Sequence, residues 1–209
     1  MKKRFIVMLF SVTTQLLALE VKPFVGIDIS ETKTDYSLKQ VGTTITNFGN
    51  FSTMQQISET TSKDYSDTVV GIKTGISVEN THRIYIYYSD FQVDDEIYDM
   101  SVNIASLNYD YLFKDENNFT PYIGIHLGQS KLEMQNKDDS GLIYGIQLGV
   151  LYKIHKNFEF ELSGVYSMLD IKVNLDDHTI TEAAYSFNGL ASSELKNITR
   201  LSFGFNIKF

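Results

Sequence analysis

Hydrophobic and polar positions alternate along most of this chain. The stretch 201–209 does so without a fault: Leu201, Phe203, Phe205, Ile207 and Phe209 share one parity, and Ser202, Gly204, Asn206 and Lys208 the other. Period two marks a β-strand, because successive side chains leave opposite faces. The same pattern predicts strands near 21–30 (Val25, Ile27 and Ile29 against Gly26 and Asp28), 69–79 (Val70, Ile72, Ile76 and Val78 against Gly71, Lys73, Gly75 and Ser77) and 120–132 (Ile123, Ile125 and Leu127 against Tyr122, Gly124, His126 and Gly128). It predicts others near 141–155 (Leu142 through Tyr152 on even positions) and 158–169 (Phe160, Leu162 and Tyr166 against Glu159, Glu161 and Ser163). Residues 83–91 are rich in Tyr and Ile but give mixed faces. Over 98–113 the apolar parity slips, from Met100, Val102 and Ile104 to Leu107, Tyr109, Tyr111 and Phe113; a β-bulge near Ala105 or Ser106 would reconcile the halves. With a last strand over about 195–209, the pattern predicts eight strands of about 9–12 residues.

The connections alternate in length. Long polar segments, 31–68 and 170–194, contrast with tight turns at 80–82 and at Lys156-Asn157. Segments 92–97 and 133–140 fall on the long side, and the polar turn 114–119 on the short side. Short turns at one end and longer loops at the other predict an up-and-down barrel that crosses a membrane. Both prolines, Pro23 and Pro121, fall at strand beginnings, where a missing N–H is tolerated.

Alternation alone does not say which face is inside. Gly26, Gly71, Gly75, Gly124, Gly128, Gly145, Gly149 and Gly204 sit on the polar parity, with Gly164 the exception. Glycine weakens an exposed strand but makes room inside a narrow barrel. Aromatics gather near strand ends: Phe113, Tyr122, Tyr152, Phe158 and Phe209 at the short-turn end, Tyr88, Tyr98, Tyr144 and Tyr166 towards the loops. That placement suits two interfacial girdles, with the apolar face turned to lipid. A soluble periplasmic barrel that buries this face is the alternative.

The amino terminus agrees with export. Lys2, Lys3 and Arg4 precede an apolar run, 5–17, and Ala18 offers a small residue for cleavage. This reads as a signal peptide over 1–18, followed by a single barrel domain over 19–209. Its removal leaves 15 basic against 26 acidic residues, a net charge of −11. Such a chain lacks the basic face that nucleic acid requires. The sequence has no Cys, hence no disulfides and no thiolate metal site.

Chemistry is sparse. Asp28, Lys73, Arg83, His126, Gln147, Lys153, Glu159, Glu161, Arg200 and Lys208 fall on the lumen parity, with both signs present. They predict either a polar core of ion pairs or a narrow gated pore. His126 and Ser130 are the residue types of a hydrolase pair, but no Ser-His-acid constellation is visible. His82, His155 and His178 fall in expected turns or loops. The acidic runs Asp94-Asp95-Glu96, Asp138-Asp139 and Asp176-Asp177 lack the spacing of a known ion loop, so no metal or cofactor is expected.

Four pieces carry a family resemblance: Leu107-Asn-Tyr-Asp-Tyr111, Thr120-Pro-Tyr-Ile-Gly124, the 162–166 stretch and the terminal strand 201–209. With these the chain resembles the small eight-stranded outer-membrane barrels of the OmpA-like and opacity-protein type. The resemblance implies an outer-membrane protein, monomeric, in contact with lipopolysaccharide. It also implies that Leu201, Phe203, Phe205, Ile207 and Phe209 form the strand read by the barrel-assembly machinery. It implies a structural or surface-display role, with extracellular loops as candidate binders of host, matrix or lipopolysaccharide partners. A small-solute channel and a lipid A-modifying enzyme are the rival functions. No peptidoglycan-binding domain is read after Phe209.

Overall fold

A computed structural model describes residues 20–48, 51–94, 99–113, 118–134, 137–182 and 185–209. The expected signal peptide, Tyr98 and the turn residues 114–117 lie outside the described residues. Eight strands follow in order: β1 Val21–Phe48, β2 Phe51–Val78, β3 His82–Asp94, β4 Asp99–Leu112, β5 Phe119–Met134, β6 Lys137–His155, β7 Phe158–Glu182 and β8 Tyr185–Lys208. Each pairs antiparallel with its neighbours, and β8 returns to β1 through Phe24↔Lys208, closing the barrel. Closure satisfies the backbone groups that a sheet edge would expose to lipid.

The exposed face is apolar around the whole barrel. Ile27 and Ile29, Val70 and Ile72, Ile84 and Ile86, Leu107, Ile123 and Ile125, Ile146 and Leu148, Leu162, Leu201 and Phe203 all point outward, one or more from each strand. Tyr88, Tyr144 and Tyr166 border this belt at the loop end, and Phe113, Tyr152, Phe158 and Phe209 at the turn end. Two border tyrosines are anchored across strands, Tyr88 Oη to Asn103 Oδ1 at 2.9 Å and Tyr166 Oη to Asn197 Oδ1 at 3.1 Å. Phe205 stacks on Phe158, ring centroids 5.8 Å apart, and meets Phe160 at a tilt, 5.7 Å away. Such a belt would be insoluble in water and suits a bilayer.

Four expectations are corrected. First, the polar segments 31–68 and 170–194 are strands, not loops. β1 and β2 stay in one register from Val21↔Val78 up to Phe48↔Phe51, and β7 and β8 pair up to Glu182↔Tyr185. Near the belt Tyr36, Ile171 and Val173 still point inward, but beyond them the Ser- and Thr-rich sequence has little apolar alternation, so the periodicity is silent. Second, β4 carries no bulge: its ladders to β3 and β5 are unbroken. Met100, Val102 and Ile104 point inward while Leu107, Tyr109 and Tyr111 point outward. The apolar residues change face because the interior itself changes from polar to apolar.

Third, a bulge lies instead in β8, where Asn197 pairs Asp35 and Leu195 pairs Tyr36, leaving Lys196 extra. It reverses the parity and turns Leu195 inward. Fourth, the face of β3 is plain in three dimensions: Arg83, Tyr85, Tyr87, Ser89 and Phe91 point in.

The β2–β3 turn places Glu79 and Asn80 at φ 52° and 53°, closed by Thr81 N–H donating to the Val78 carbonyl at 3.0 Å. Asn tolerates a positive φ, whereas Glu adopts it at a cost of roughly 1–2 kcal/mol. Glu79→Gly is therefore expected to stabilise the barrel by about 1 kcal/mol, read from urea unfolding in lipid vesicles. A loss of stability would mean that the Glu79 side chain contributes more than its backbone strain.

Candidate functional site: the barrel interior

The interior is stacked in layers. At the turn end Leu112, Tyr122 and Leu151 form a floor. Among the described residues eight charged side chains are buried with it: Lys73, Arg83, Arg200 and Lys208 against Asp28, Asp110, Glu159 and Glu161. Four charges of each sign balance, which a dry interior demands. Glu161 on β7 is the hub. Arg83 on β3 donates to it through both terminal nitrogens, at 2.9 and 3.0 Å, and Lys73 Nζ on β2 donates at 2.8 Å. Tyr122 Oη and Asn206 Nδ2 donate as well, at 2.5 and 2.8 Å. One carboxylate thus joins strands β2, β3, β5 and β8.

Arg83 spans the lumen. Its Nε donates to Asp110 Oδ2 at 2.7 Å on the adjacent strand, and its guanidinium lies over the rings of Phe24, Tyr85 and Tyr122 at 5.6, 5.0 and 4.8 Å. Planar guanidinium suits both the fork to Glu161 and the aromatic stacking, where Lys would suit neither. Gln147 donates to Asp110 and to Tyr85 Oη. Gly124 makes this possible: a Cβ there would collide with Asp110 and lie 2.9 Å from Gln147 Cγ. Lys208 pairs with Glu159 at 2.6 Å, and Arg200 lies 4.4 Å from the Tyr87 ring centroid. Among these groups remains a cavity of about 10 Å³, lined in part by Asp28, Lys73, Asn108, Glu161 and Arg200. It has room for about one water molecule.

Small residues follow: Ser89, Ser106, Ser130, Ser167, Gly128 and Gly145. The loop end is then sealed by apolar side chains from all eight strands, namely Tyr36, Val69, Phe91, Met100, Val102, Ile104, Leu132, Ile143, Leu169, Ile171, Val173, Leu195 and Ile198. Val102, Leu132, Ile171 and Ile198 are wholly shielded from solvent.

Of the lumen residues named from sequence, Asp28, Lys73, Arg83, His126, Gln147, Glu159, Glu161, Arg200 and Lys208 are buried inside. Lys153 is not. It is exposed, because β6 runs past the Leu151 floor and bulges between Lys153 and His155. Tyr122, assigned to a girdle, points inward and donates to Glu161. His82 opens β3 and bonds Tyr109 Oη through Nδ1 at 2.9 Å, so it belongs to the aromatic border and not to a turn. His178 lies within β7. On the rim, Lys131 bridges Glu133 and Asp138 at 2.6 and 3.0 Å, and the hydrogen bond it donates to Glu133 raises its pKa.

No family model matches this chain, and no curated protein matches it by sequence. Solved structures do match in shape. Neisserial surface protein A superposes with a TM-score of 0.59 at 15% identity, covering 91% of this chain and 99% of that one. The outer membrane protein OprG from Pseudomonas aeruginosa does so with a TM-score of 0.59 at 15% identity, covering 90% and 96%. The fold is that of the small outer-membrane β-barrels. The apolar belt around the wall suits the bilayer that barrels of this fold cross.

In this barrel the sequence reading missed Asp110, Tyr85 and Tyr87 as interior partners, while Asn206 lies inside as its parity predicts. Asp110 was within reach: Asn108 and Asp110 alternate with Leu107, Tyr109 and Tyr111, and only the slipped parity hid them. The weighed hydrolase pair does not assemble. His126 Nε2 bonds Ser167 Oγ at 3.0 Å, and Ser130 Oγ is buried with no partner among the described residues. Among the described residues no three His, Asp or Glu side chains converge as metal ligands would.

Proposed function

We propose that the protein is a non-conducting, non-enzymatic outer-membrane scaffold that displays its extracellular hairpins. The observation that carries this reading is the apolar seal across the extracellular half of the lumen, which draws side chains from every strand. An ion would have to cross that seal and then a charge-balanced cluster with space for about one water. The interior serves to hold the wall in one register, and the exposed chemistry sits on the hairpins. Ser130 is fully shielded and the charge cluster is almost wholly buried, which argues against hydrolysis of a lipid at either. Lipopolysaccharide and the assembly machinery are the partners that the belt and the closing strand suit; a partner on the display side is taken up below.

Planar-bilayer recording on the purified, refolded barrel tests this. The expected result is the absence of discrete conductance steps at neutral pH. Ile104→Ser with Leu132→Ser, which loosens the seal, is expected to leave the wall intact and raise leak. Sustained single-channel openings from the unmodified protein would establish the channel reading instead.

A further inference from the structure

Above the lipid belt the barrel wall divides. The ladder between β2 and β3 ends at Gly71↔Ser89, and that between β6 and β7 at Ile143↔Leu169. Strands β7, β8, β1 and β2 continue upward as one four-stranded fin, with β1 paired on both sides as far as Thr46↔Tyr185 and Phe48↔Phe51. β3 ends at Asp94, so residues 51–64 of β2 rise past it with β1 on one side and no strand on the other among the described residues. Every second residue there turns its N–H and C=O to the open side.

We propose that this edge of β2 is a docking strand for an extended, basic segment of another protein, added by β-augmentation. An open edge is a template for pairing, and proteins that avoid this place Pro, several Lys or a bulge along it. Residues 51–64 contain no Pro and a single Lys, Lys63, and β2 keeps an unbroken register to β1.

Charge selects the occupant. The fin segments 31–70 and 170–199 carry ten Asp or Glu against five Lys. On β2 itself Glu59, Asp64 and Asp67 outnumber Lys63. A second copy in the same membrane would have to offer β7, the only fin edge that runs antiparallel to β2. In sequence the upper part of that strand, 170–182, has four Asp or Glu and one Lys, so two copies would bring together segments of like net charge. A basic peptide gains both the backbone ladder and the attraction. This inference rests on the display reading above.

The test uses the full barrel in nanodiscs and a basic peptide of about 12 residues, alternating Lys with Val and Thr, long enough to follow the free edge. Binding is read by fluorescence anisotropy and by hydrogen exchange. The expected result is slowed exchange at alternate amides within residues 51–64. A peptide N-methylated at alternate residues should bind at least about tenfold more weakly, as loss of ladder bonds requires. The barrel variant Glu59→Lys with Asp64→Lys, both exposed on the fin, should also lose at least about tenfold at low salt.

Equal binding of the methylated peptide would overturn the proposal, since charge alone would then suffice. So would protection confined to residues 175–182, or no binding at all. Protection of 51–64 that grows with barrel concentration and without peptide would make the occupant a second copy. Conductance recorded on the same preparation separates the two readings. A closed barrel that ignores the peptide overturns docking alone, and a conducting one overturns display whatever it binds.

Discussion

Glu161→Leu is expected to destabilise the folded barrel by about 3–5 kcal/mol, the usual consequence of removing one partner from a buried ion pair. Glu161 accepts hydrogen bonds from Arg83, Lys73, Tyr122 and Asn206, and all of these groups are buried. Its loss leaves four charges of one sign against three of the other, in a space with room for about one water. The measurement is urea unfolding in lipid vesicles, where the charge cluster is tested apart from cellular assembly. Two companions sharpen it. Glu133→Leu breaks an exposed pair with Lys131 and should cost at most about 1 kcal/mol. Glu161→Leu combined with Lys73→Met should cost less than the sum of the single changes, because each single change strands the other's charge. A Glu161→Leu barrel within about 0.5 kcal/mol of the unmodified one would show that the cluster does not hold the wall together.

Leu148→Arg should cost about 2–4 kcal/mol, the penalty for a cation facing lipid near the bilayer midplane. Leu148 is 63% exposed in the middle of β6, with Leu142 and Ile154 exposed towards its two ends. In water such a residue would be nearly indifferent to Arg, so the size of the effect reports the surrounding solvent. Gln129→Arg, at the polar rim above the belt, should cost about 0–1 kcal/mol by the same depth dependence. Equal effects at the two positions would mean that the belt does not lie in lipid. The terminal strand offers the same contrast with an added complication: Phe205 also packs against Phe158 and Phe160, so Phe205→Arg removes packing as well as lipid contact.

Much of the wall was legible in the sequence. Wherever one face meets lipid and the other a polar interior, as at 21–30, 69–79, 120–128 and 201–209, alternation reports the strand and its facing together. Glycines on the lumen parity told inside from outside, and Gly124 shows why: the space it leaves is filled by Asp110 and Gln147. Nine of the ten charged or polar residues assigned to the lumen are buried there. Lys153 failed because parity carries no information about where the interior ends.

Three things were decided only by tertiary structure, each for a physical reason. The upper fin, beyond the seal residues Tyr36 and Val173, was unreadable because its Ser- and Thr-rich sequence does not alternate and looks like loop. The apolar seal was unreadable because Met100, Val102 and Ile104 are hydrophobic whether they face lipid or one another; only closure of eight strands around them sets the difference. The hub at Glu161 was unreadable because its donors are separated from it by 39 to 88 positions in the chain. Local periodicity determines that strands form and which way they face lipid. Which side chains meet across the lumen depends on barrel register and stagger, and those are properties of the closed cylinder as a whole.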